Sequence, residues 1–214
     1  MANNKTAIDA ILNSCANLVR EQLTESGKDT LSHKISDCEM LITKAGVDFA
    51  KIKQDDILSV KIDETSENNE IRLHSKLYLT NAECNAICHT HPYYCTTVSK
   101  VGVKIPPILD DMAQIVGPSA KVAKSADFKD VKKALKRRNC CLIKNDGILA
   151  ATRTLNEVVT ACLVLEKAGK CFIEGYAIGK PIALPYLEAA LMHVVYLKKY
   201  SKTNQANKLS QEQQ

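Results

Sequence analysis

The run Ala86-Ile-Cys-His-Thr-His-Pro-Tyr-Tyr-Cys95 places two histidines two positions apart at the end of an apolar segment. Alternate residues of a β-strand point to the same face, so His89 and His91 are predicted to converge on one point. Pro92 lacks the backbone N–H that a strand interior donates, and it therefore ends the strand beside both imidazoles. Neutral imidazole is the commonest metal ligand in proteins. The stretch predicts a buried strand that carries a metal site to its end, although a His-x-His pair alone is also typical of a solvated face.

A predicted helix upstream brings further polar groups toward the same strand end. In the segment 70–78, Glu70, His74 and Tyr78 are spaced by four and share one helix face. A carboxylate and an imidazole are therefore expected near the two histidines. The alternative, which the sequence leaves open, is that these three side chains form a solvated helix face.

Length and composition are those of one ordinary globular domain. The 214 residues are 45% hydrophobic and 25% charged, and no linker rich in Pro, Gly or Ser divides them. We predict one domain over residues 1–200 and a polar, disordered tail at 201–214. No apolar run approaches the ~20 residues that span a bilayer. The amino-terminal residues lack the apolar core of a signal peptide, so a cytoplasmic protein without a membrane partner is expected.

Charge and cysteine content argue against two other classes of protein. The net charge is +5, and its cluster at 129–138 has neither interleaved aromatic residues nor a binding motif. The cluster is therefore predicted to be the wet face of a helix rather than a nucleic-acid site. The nine cysteines lie mostly inside apolar stretches and match no metal-finger or Cys-x-x-Cys spacing. They are predicted to be small buried hydrophobic residues rather than disulfides.

The alternation of strand and helix patterns predicts the fold class. Strands in hairpins, one of them closed by the turn at 145–147, alternate with amphipathic helices. Thr154 and Glu157 form a capping box for a long helix that reaches about Phe172, and a last helix is expected over about 187–200. Together these strands and helices predict an α/β protein with a mixed, largely antiparallel sheet covered by helices on both faces.

Four motifs follow one another along the chain: Glu70 with His74, the run His89-Thr-His91-Pro92, Ile105-Pro-Pro-Ile followed by Asp111-Met-Ala-Gln-Ile-Val-Gly117, and Asn145-Asp-Gly147 leading into Thr154-Leu-Asn-Glu157. In this order and spacing they resemble the class II aldolase and adducin head domain family, over about residues 7–200. The resemblance implies a three-layer α/β/α fold, usually as a homotetramer, with zinc at the subunit interface.

The resemblance also implies roles for individual residues. In the family three histidines hold the metal, and a glutamate placed like Glu70 acts as general acid/base or occupies the vacant metal position. His89 and His91 would thus bind Zn²⁺ or another divalent metal, and Glu70 would move protons. Bound metal would polarise the carbonyl and hydroxyl oxygens of a substrate and stabilise an enediolate as a C–C bond is made or broken.

The sequence departs from the family at the third histidine, where it has Asp146. A carboxylate can ligate zinc, so His89, His91 and Asp146 remain a chemically sensible ligand set with one more negative charge. Asn-Asp-Gly is also well suited to a turn. It stays open at this point whether Asp146 is a ligand or serves only the turn, which would leave a two-histidine site too weak to keep zinc.

A second departure affects the phosphate-binding stretches of the family. Where the family places Gly-Asn-x-Ser, this chain has Asp29-Thr-Leu-Ser32, and a phosphate would be repelled by Asp29. A different hydroxy-carbonyl compound, or no substrate at all, is therefore favoured over a sugar phosphate. The residues of these stretches that can still donate hydrogen bonds to a substrate are predicted to bind it: Thr30, Ser32, Gly46, Asn68 and Asn69.

Functions of different classes remain compatible with these observations. The first is a zinc-dependent, aldolase-like lyase that acts on a small hydroxy-carbonyl or sugar-phosphate substrate, and the presence of Glu70, His89 and His91 favours it. The second is a catalytically degenerate, adducin-head-like oligomerisation module, which the two departures favour. A sugar-phosphate epimerase is a further alternative. A homo-oligomer, a tetramer by resemblance, is expected, with no nucleic-acid partner.

Overall fold

The computed structural model describes residues 2–211, with side chains described for residues 4–199. Six helices occur in this range: α1 (Ala2–Arg20), α2 (Asn69–Thr80), α3 (Tyr93–Val101), α4 (Phe128–Leu135), α5 (Leu155–Ile178) and α6 (Tyr186–Gln211). Seven strands accompany them: β1 (Thr30–Ser36), β2 (Glu39–Thr43), β3 (Ile57–Lys61), β4 (Ala86–Thr90), β5 (Val122–Ala123), β6 (Cys140–Ile143) and β7 (Ile148–Thr152). A short 3₁₀-helix (Gln54–Asp56) and a π-helical turn (Met112–Val116) complete the described secondary structure.

The seven strands form one sheet in the order β3-β2-β1-β4-β7-β6-β5. All neighbouring strands are antiparallel except β5 and β6, which are parallel. The predicted mixed, largely antiparallel sheet is therefore confirmed. The histidine-bearing strand β4 lies at the centre, where His89 is paired with Thr30 of β1 on one side and with Leu149 of β7 on the other.

Helices cover both faces of the sheet. Buried residues of α1, α3 and α5 pack on one face, and those of α2 and α4 pack on the other. Successive residues of β4 contribute to both cores, since Cys88 lies in the first and Ile87 in the second. A strand covered on both faces is continuously apolar, as the segment before His89 is. The three-layer α/β/α architecture is thus confirmed.

The ends of the last two helices differ from the prediction. Thr154 caps α5 as expected, and its side chain accepts a hydrogen bond from the backbone N–H of Glu157. Helix α5 ends at Ile178 instead of near Phe172, before Gly179. Helix α6 continues to Gln211 and so enters the predicted tail, because no Gly or Pro follows Tyr200 to end it. Residues 212–214 lie outside the described residues, and the domain boundary at 200 stays a prediction.

All nine cysteines are free, and seven of them are buried. The seven buried cysteines pack as small apolar side chains in the two cores, as predicted. Among residues 2–211, the structure has no helix whose length and apolar character would suit a membrane crossing.

Candidate metal centre

The two histidines converge at the end of the central strand. Their ring centroids lie 4.8 Å apart with an interplanar angle of 37°. Both residues are buried, with exposed fractions of 4% for His89 and 8% for His91. The chain turns into α3 directly after them, and Pro92 supplies no side-chain cap for that helix. The predicted convergence of the two imidazoles is confirmed.

A carboxylate from α5 caps α3 in place of the missing side-chain cap. The two oxygens of Glu166 accept hydrogen bonds from the backbone N–H groups of Tyr94, at 2.7 Å, and Cys95, at 2.8 Å. An anion at a helix N-terminus satisfies unpaired N–H groups and interacts favourably with the helix dipole. Glu166 therefore anchors the chain directly after His91.

The β6–β7 hairpin brings Asp146 to the histidines. Asn145 takes the left-handed conformation that the turn requires, with φ of 61°. Gly147 packs against the end of β4, where a Cβ would overlap the backbone oxygen of Thr90 and lie 3.0 Å from Cδ2 of His91. Only glycine permits this close approach. The turn is thereby pressed against the strand end that carries both imidazoles.

The carboxylate of Asp146 points at both rings. Its Oδ1 lies 2.7 Å from Nε2 of His91, and its Oδ2 lies 3.2 Å from Nε2 of His89. Because Asn145 provides the left-handed residue of the turn, the turn itself does not require the side chain of Asp146 to face the strand. The geometry favours Asp146 as a member of the site over a residue that serves only the turn.

The three side chains fit a divalent cation. One ligand atom each from His89, His91 and Asp146 can be chosen so that all lie within 4.8 Å of one another. Nε2 of His89 is buried and has no hydrogen-bond partner among the described residues, since its approach to Asp146 lacks hydrogen-bond geometry. A buried polar nitrogen without a partner is costly. Two imidazoles and one carboxylate are ligands that zinc, iron(II) and related metals accept.

Negative charge is concentrated around His89. Glu70 lies 3.3 Å from its Nδ1, and Asp146 lies near its Nε2. Burial lowers the pKa of His89, but the close negative charges of Asp146 and Glu70 outweigh burial and raise the pKa to about 10. Burial likewise opposes the shift at Asp146, where the two nearby imidazole rings hold the pKa of the carboxyl well below its usual range. The same arrangement of carboxylates attracts a metal cation.

Glu70 lies beside the cluster in the first turn of α2, which Asn68 caps by accepting from the backbone N–H of Ile71. Its Oε2 accepts a hydrogen bond from Oγ1 of Thr30 at 3.1 Å. Burial raises the pKa of Glu70, but the hydrogen bond to His89 and the charge of His89 outweigh burial and lower it to about 2. The side chain keeps 28% of its surface exposed. Glu70 is thus an ionised carboxylate within reach of a bound molecule.

His74 and Tyr78 lie behind Glu70 in the protein interior. Nε2 of His74 is 3.6 Å from Oε2 of Glu70, and Nδ1 of His74 is 2.8 Å from Oγ of Ser32. Ser32 also bonds the phenol of Tyr78 at 2.7 Å. Burial lowers the pKa of His74 to about 4, so the ring is neutral. The alternative of a solvated helix face is wrong, because His74 and Tyr78 are buried.

The residues expected to bind substrate are not brought together as a group. Ser32 is fully buried between His74 and Tyr78, and Thr30 is buried against Glu70. Asn68 and Asn69 are exposed, and Asn69 accepts a hydrogen bond from Arg72. Gly46 lies in the exposed turn after β2. Among the described residues, no hydrogen bond joins these last three to Glu70 or the histidines, and their role stays a prediction.

Asp29 is placed differently from the expectation. It is 2% exposed, and its oxygens accept hydrogen bonds from ring Nδ1 of His91 at 2.9 Å and from the backbone N–H groups of His91 at 3.0 Å and Glu25 at 2.7 Å. The expected repulsion of a phosphate by Asp29 is corrected, because the carboxylate faces His91 instead of a substrate. Sequence reasoning also missed Glu166. Neither contact has a local signal, since the partners are far apart along the chain.

A seven-stranded mixed sheet between two helical layers, with two histidines and an aspartate at the end of its central strand, defines an α/β/α protein with a candidate metal centre. The sequence matches the profile of the family described as "Class II Aldolase and Adducin N-terminal domain" over residues 9–173. The chain belongs to this family.

Several relatives and solved structures are similar to the chain over most of its length. The L-fuculose phosphate aldolase of Escherichia coli (strain K12) is 27% identical over 193 residues, which cover 85% of this chain and 89% of the relative. The 5-deoxy-D-ribulose 1-phosphate aldolase of Bacillus thuringiensis is 22% identical over 67% of this chain and 73% of the relative. A solved structure of an L-fuculose 1-phosphate aldolase superimposes with a TM-score of 0.80 at 26% identity, covering 88% of this chain and 95% of that chain.

Proposed function

We propose that this protein is a metal-dependent, aldolase-type lyase that cleaves a C–C bond in a small hydroxy-carbonyl or sugar-phosphate substrate. The observation that carries the proposal is the convergence of His89, His91 and Asp146 beside the accessible carboxylate of Glu70. The names of the relatives, which are aldolases of sugar phosphates, support the same reaction class.

Three side chains would hold the metal. His89 and His91 would each offer Nε2, the ring nitrogen that faces Asp146, and Asp146 would offer its carboxylate. Zinc suits this set, and so do other divalent metals that accept imidazole and carboxylate ligands. When bound, the metal supplies a Lewis acid that polarises the oxygens of the substrate.

Glu70 is proposed as the group that moves protons. Cleavage of an aldol requires a base that takes a proton from the hydroxyl group and an acid that returns a proton to the released carbon. Glu70 is ionised and partly exposed, and Thr30 fixes it through a hydrogen bond to Oε2. A single positioned carboxylate can serve both steps in sequence.

An anionic substrate is supported by the rim of the site. Lys28 is exposed, and its ammonium group lies 2.7 Å from Oε1 of Glu25. This pair raises the pKa of Lys28, and the nearby charges of Asp146 and Asp29 contribute to the increase. Lys28 is therefore our candidate for the cation that binds a phosphate or carboxylate group of the substrate in exchange for Glu25.

Metal content and a panel of substrates test the proposal. The purified protein should hold about one divalent ion per chain and should cleave phosphorylated or free 2-keto sugars. Glu70→Gln should lower kcat by about 10²- to 10⁴-fold when measured at saturating metal, because it removes the proton-moving group and no ligand. Glu67→Gln, an exposed carboxylate before the same helix, should leave kcat unchanged. Less than about a tenth of an ion per chain, with no uptake of added metal, would contradict the proposal.

We also propose that the protein is a cytoplasmic homo-oligomer. Large apolar side chains are exposed near the carboxyl-terminal helices, with exposed fractions of 92% for Ile178, 93% for Ile182 and 81% for Leu187. Exposed apolar surface of this kind is typical of subunit interfaces. Nine free cysteines suit a reducing compartment. Light scattering on the eluted protein measures the subunit number, and a monomer at micromolar concentration contradicts this part of the proposal.

A further inference from the structure

We infer that Asp29 is a positioning residue of the metal centre, which fixes the ring of His91 so that Nε2 is the nitrogen offered to the metal. The inference rests on the proposed function, because it concerns how the proposed metal is held. Asp29 lies directly before β1 and contacts His91 across the sheet, without belonging to the ligand cluster itself.

The hydrogen bond from His91 to Asp29 fixes the tautomer of the ring. Both oxygens of Asp29 accept backbone N–H groups, as those of a carboxylate do, so the proton in the 2.9 Å contact between Oδ1 and Nδ1 of His91 is assigned to Nδ1. In the neutral ring, the lone pair then lies on Nε2, which points toward Asp146. A carboxylate on the second nitrogen of a metal-binding histidine orients the ring and makes it a stronger ligand.

Asp29 is itself held too firmly to turn away from His91. Its Oδ1 also accepts from the backbone N–H of His91, and its Oδ2 accepts from the backbone N–H of Glu25. A buried carboxylate is stable only when its oxygens are paired in this way. The loop before β1 is tied to the same place a second time, because the hydroxyl of Thr90 donates to the backbone oxygen of Leu23.

The two histidines therefore have different partners on Nδ1. His89 faces Glu70, whose side chain is 28% exposed, whereas His91 faces Asp29, whose side chain is 2% exposed. An accessible carboxylate can exchange protons with a substrate, and a buried one can only hold its neighbour. Both residues that bond the ring of His91, Asp29 and Asp146, also stand where the sequence departs from the family pattern. The structure thus assigns Asp29 to positioning the ring of His91 and Glu70 to proton transfer with the substrate.

The zinc affinity of Asp29→Asn tests this assignment. Competition with a chromogenic chelator should show binding about 10- to 100-fold weaker than in the wild-type protein, because the amide that replaces the carboxylate has a single acceptor oxygen and cannot satisfy both His91 and the N–H of Glu25. Asp37→Asn is the matched control, since it removes one fully exposed carboxylate from the β1–β2 turn. It should leave the affinity within about twofold of the wild type.

A spectroscopic measurement on the wild-type protein keeps the test decisive even when Asp29→Asn does not fold. Two-bond ¹H–¹⁵N correlations of the zinc-loaded protein should show His91 protonated at Nδ1 and bound through Nε2. Binding through Nδ1, or equal zinc affinities for the wild type and Asp29→Asn, overturns the inference and leaves the proposed function intact. Absence of zinc uptake by the wild type and both variants overturns the proposed function, and the inference with it.

Discussion

The surroundings of His89 and His91 differ although the two residues are neighbours on one strand face. His89 lies within β4 and faces Glu70 of α2, a carboxylate that solvent can reach. His91 lies just past the strand and is enclosed by Asp29 and by the start of α3, which Glu166 caps. One imidazole is thus joined to the group that can exchange protons, and the other is joined to the rigid part of the site. Identical ligand types can therefore make unequal contributions to binding and to catalysis.

Removal of either imidazole ring tests metal binding, the role that we propose for both histidines. His89→Ala and His91→Ala should each weaken zinc binding by at least about a hundredfold, since a structural site of four ligands gains roughly 3 kcal/mol from each. Chelator competition measures both variants under the same conditions. His33→Ala, which removes an imidazole outside the cluster that bonds the backbone oxygen of Asn85, serves as the control. An unchanged affinity in either ligand variant would remove that residue from the metal centre.

The strand pair and the hairpin could be predicted because their signals are local. The spacing of His89 and His91 sets their common face, and Pro92 marks the strand end. Asn145-Asp146-Gly147 identifies the turn, and the structure adds that Gly147 is required by the close passage of Thr90. The layers of the fold followed from the apolar strands and amphipathic helices in the same way.

The supporting contacts could not be predicted because they join segments that are distant in sequence. Asp29 is 62 positions from His91, and nothing in its own surroundings indicates whether its carboxylate faces inward or outward. In the sequence, Glu166 resembles any other charged residue on a long helix. Only the structure shows that the start of α3 packs against it. The sequence predicts Ser32 at a substrate, and only the sheet register shows that it lies beneath α2 instead. Side-chain direction decided these cases.

The buried hydrogen-bond network of Ser32, His74 and Tyr78 behind Glu70 provides a second contrast, between stability and metal binding. Ser32→Ala leaves Nδ1 of His74 and the phenol of Tyr78 without their shared partner. The loss should lower the free energy of unfolding by about 1–3 kcal/mol, which is roughly 2–10 °C in Tm for a chain of this size. Zinc affinity should stay within about twofold, because Ser32 contacts no metal ligand. Thermal unfolding and chelator competition on the same sample separate the two effects.

Ser59→Ala is the matched control for this variant, since Ser59 is exposed on β3 and bonds Glu39 there. Its Tm should stay close to that of the wild type. If the Ser32→Ala protein keeps its stability but loses zinc, the buried hydrogen-bond network supports the metal centre instead of the fold.

The smallest expected effect concerns Glu166 and decides which contact supports His91 most. Glu166→Gln removes the negative charge at the start of α3 and replaces one acceptor by a donor, so the N–H groups of Tyr94 and Cys95 lose part of their cap at a cost of about 1 kcal/mol. Hydrogen exchange at these two amides should accelerate about fivefold, whereas zinc affinity should fall by less than about fivefold, since Asp29 still holds the ring. Glu188→Gln, an exposed change in the first turn of α6, should alter neither quantity. If Glu166→Gln weakens zinc binding as much as Asp29→Asn does, the start of α3 supports His91 as strongly as the buried carboxylate of Asp29. The difference between the two histidines would then depend on the position of α3 and not on Asp29 alone.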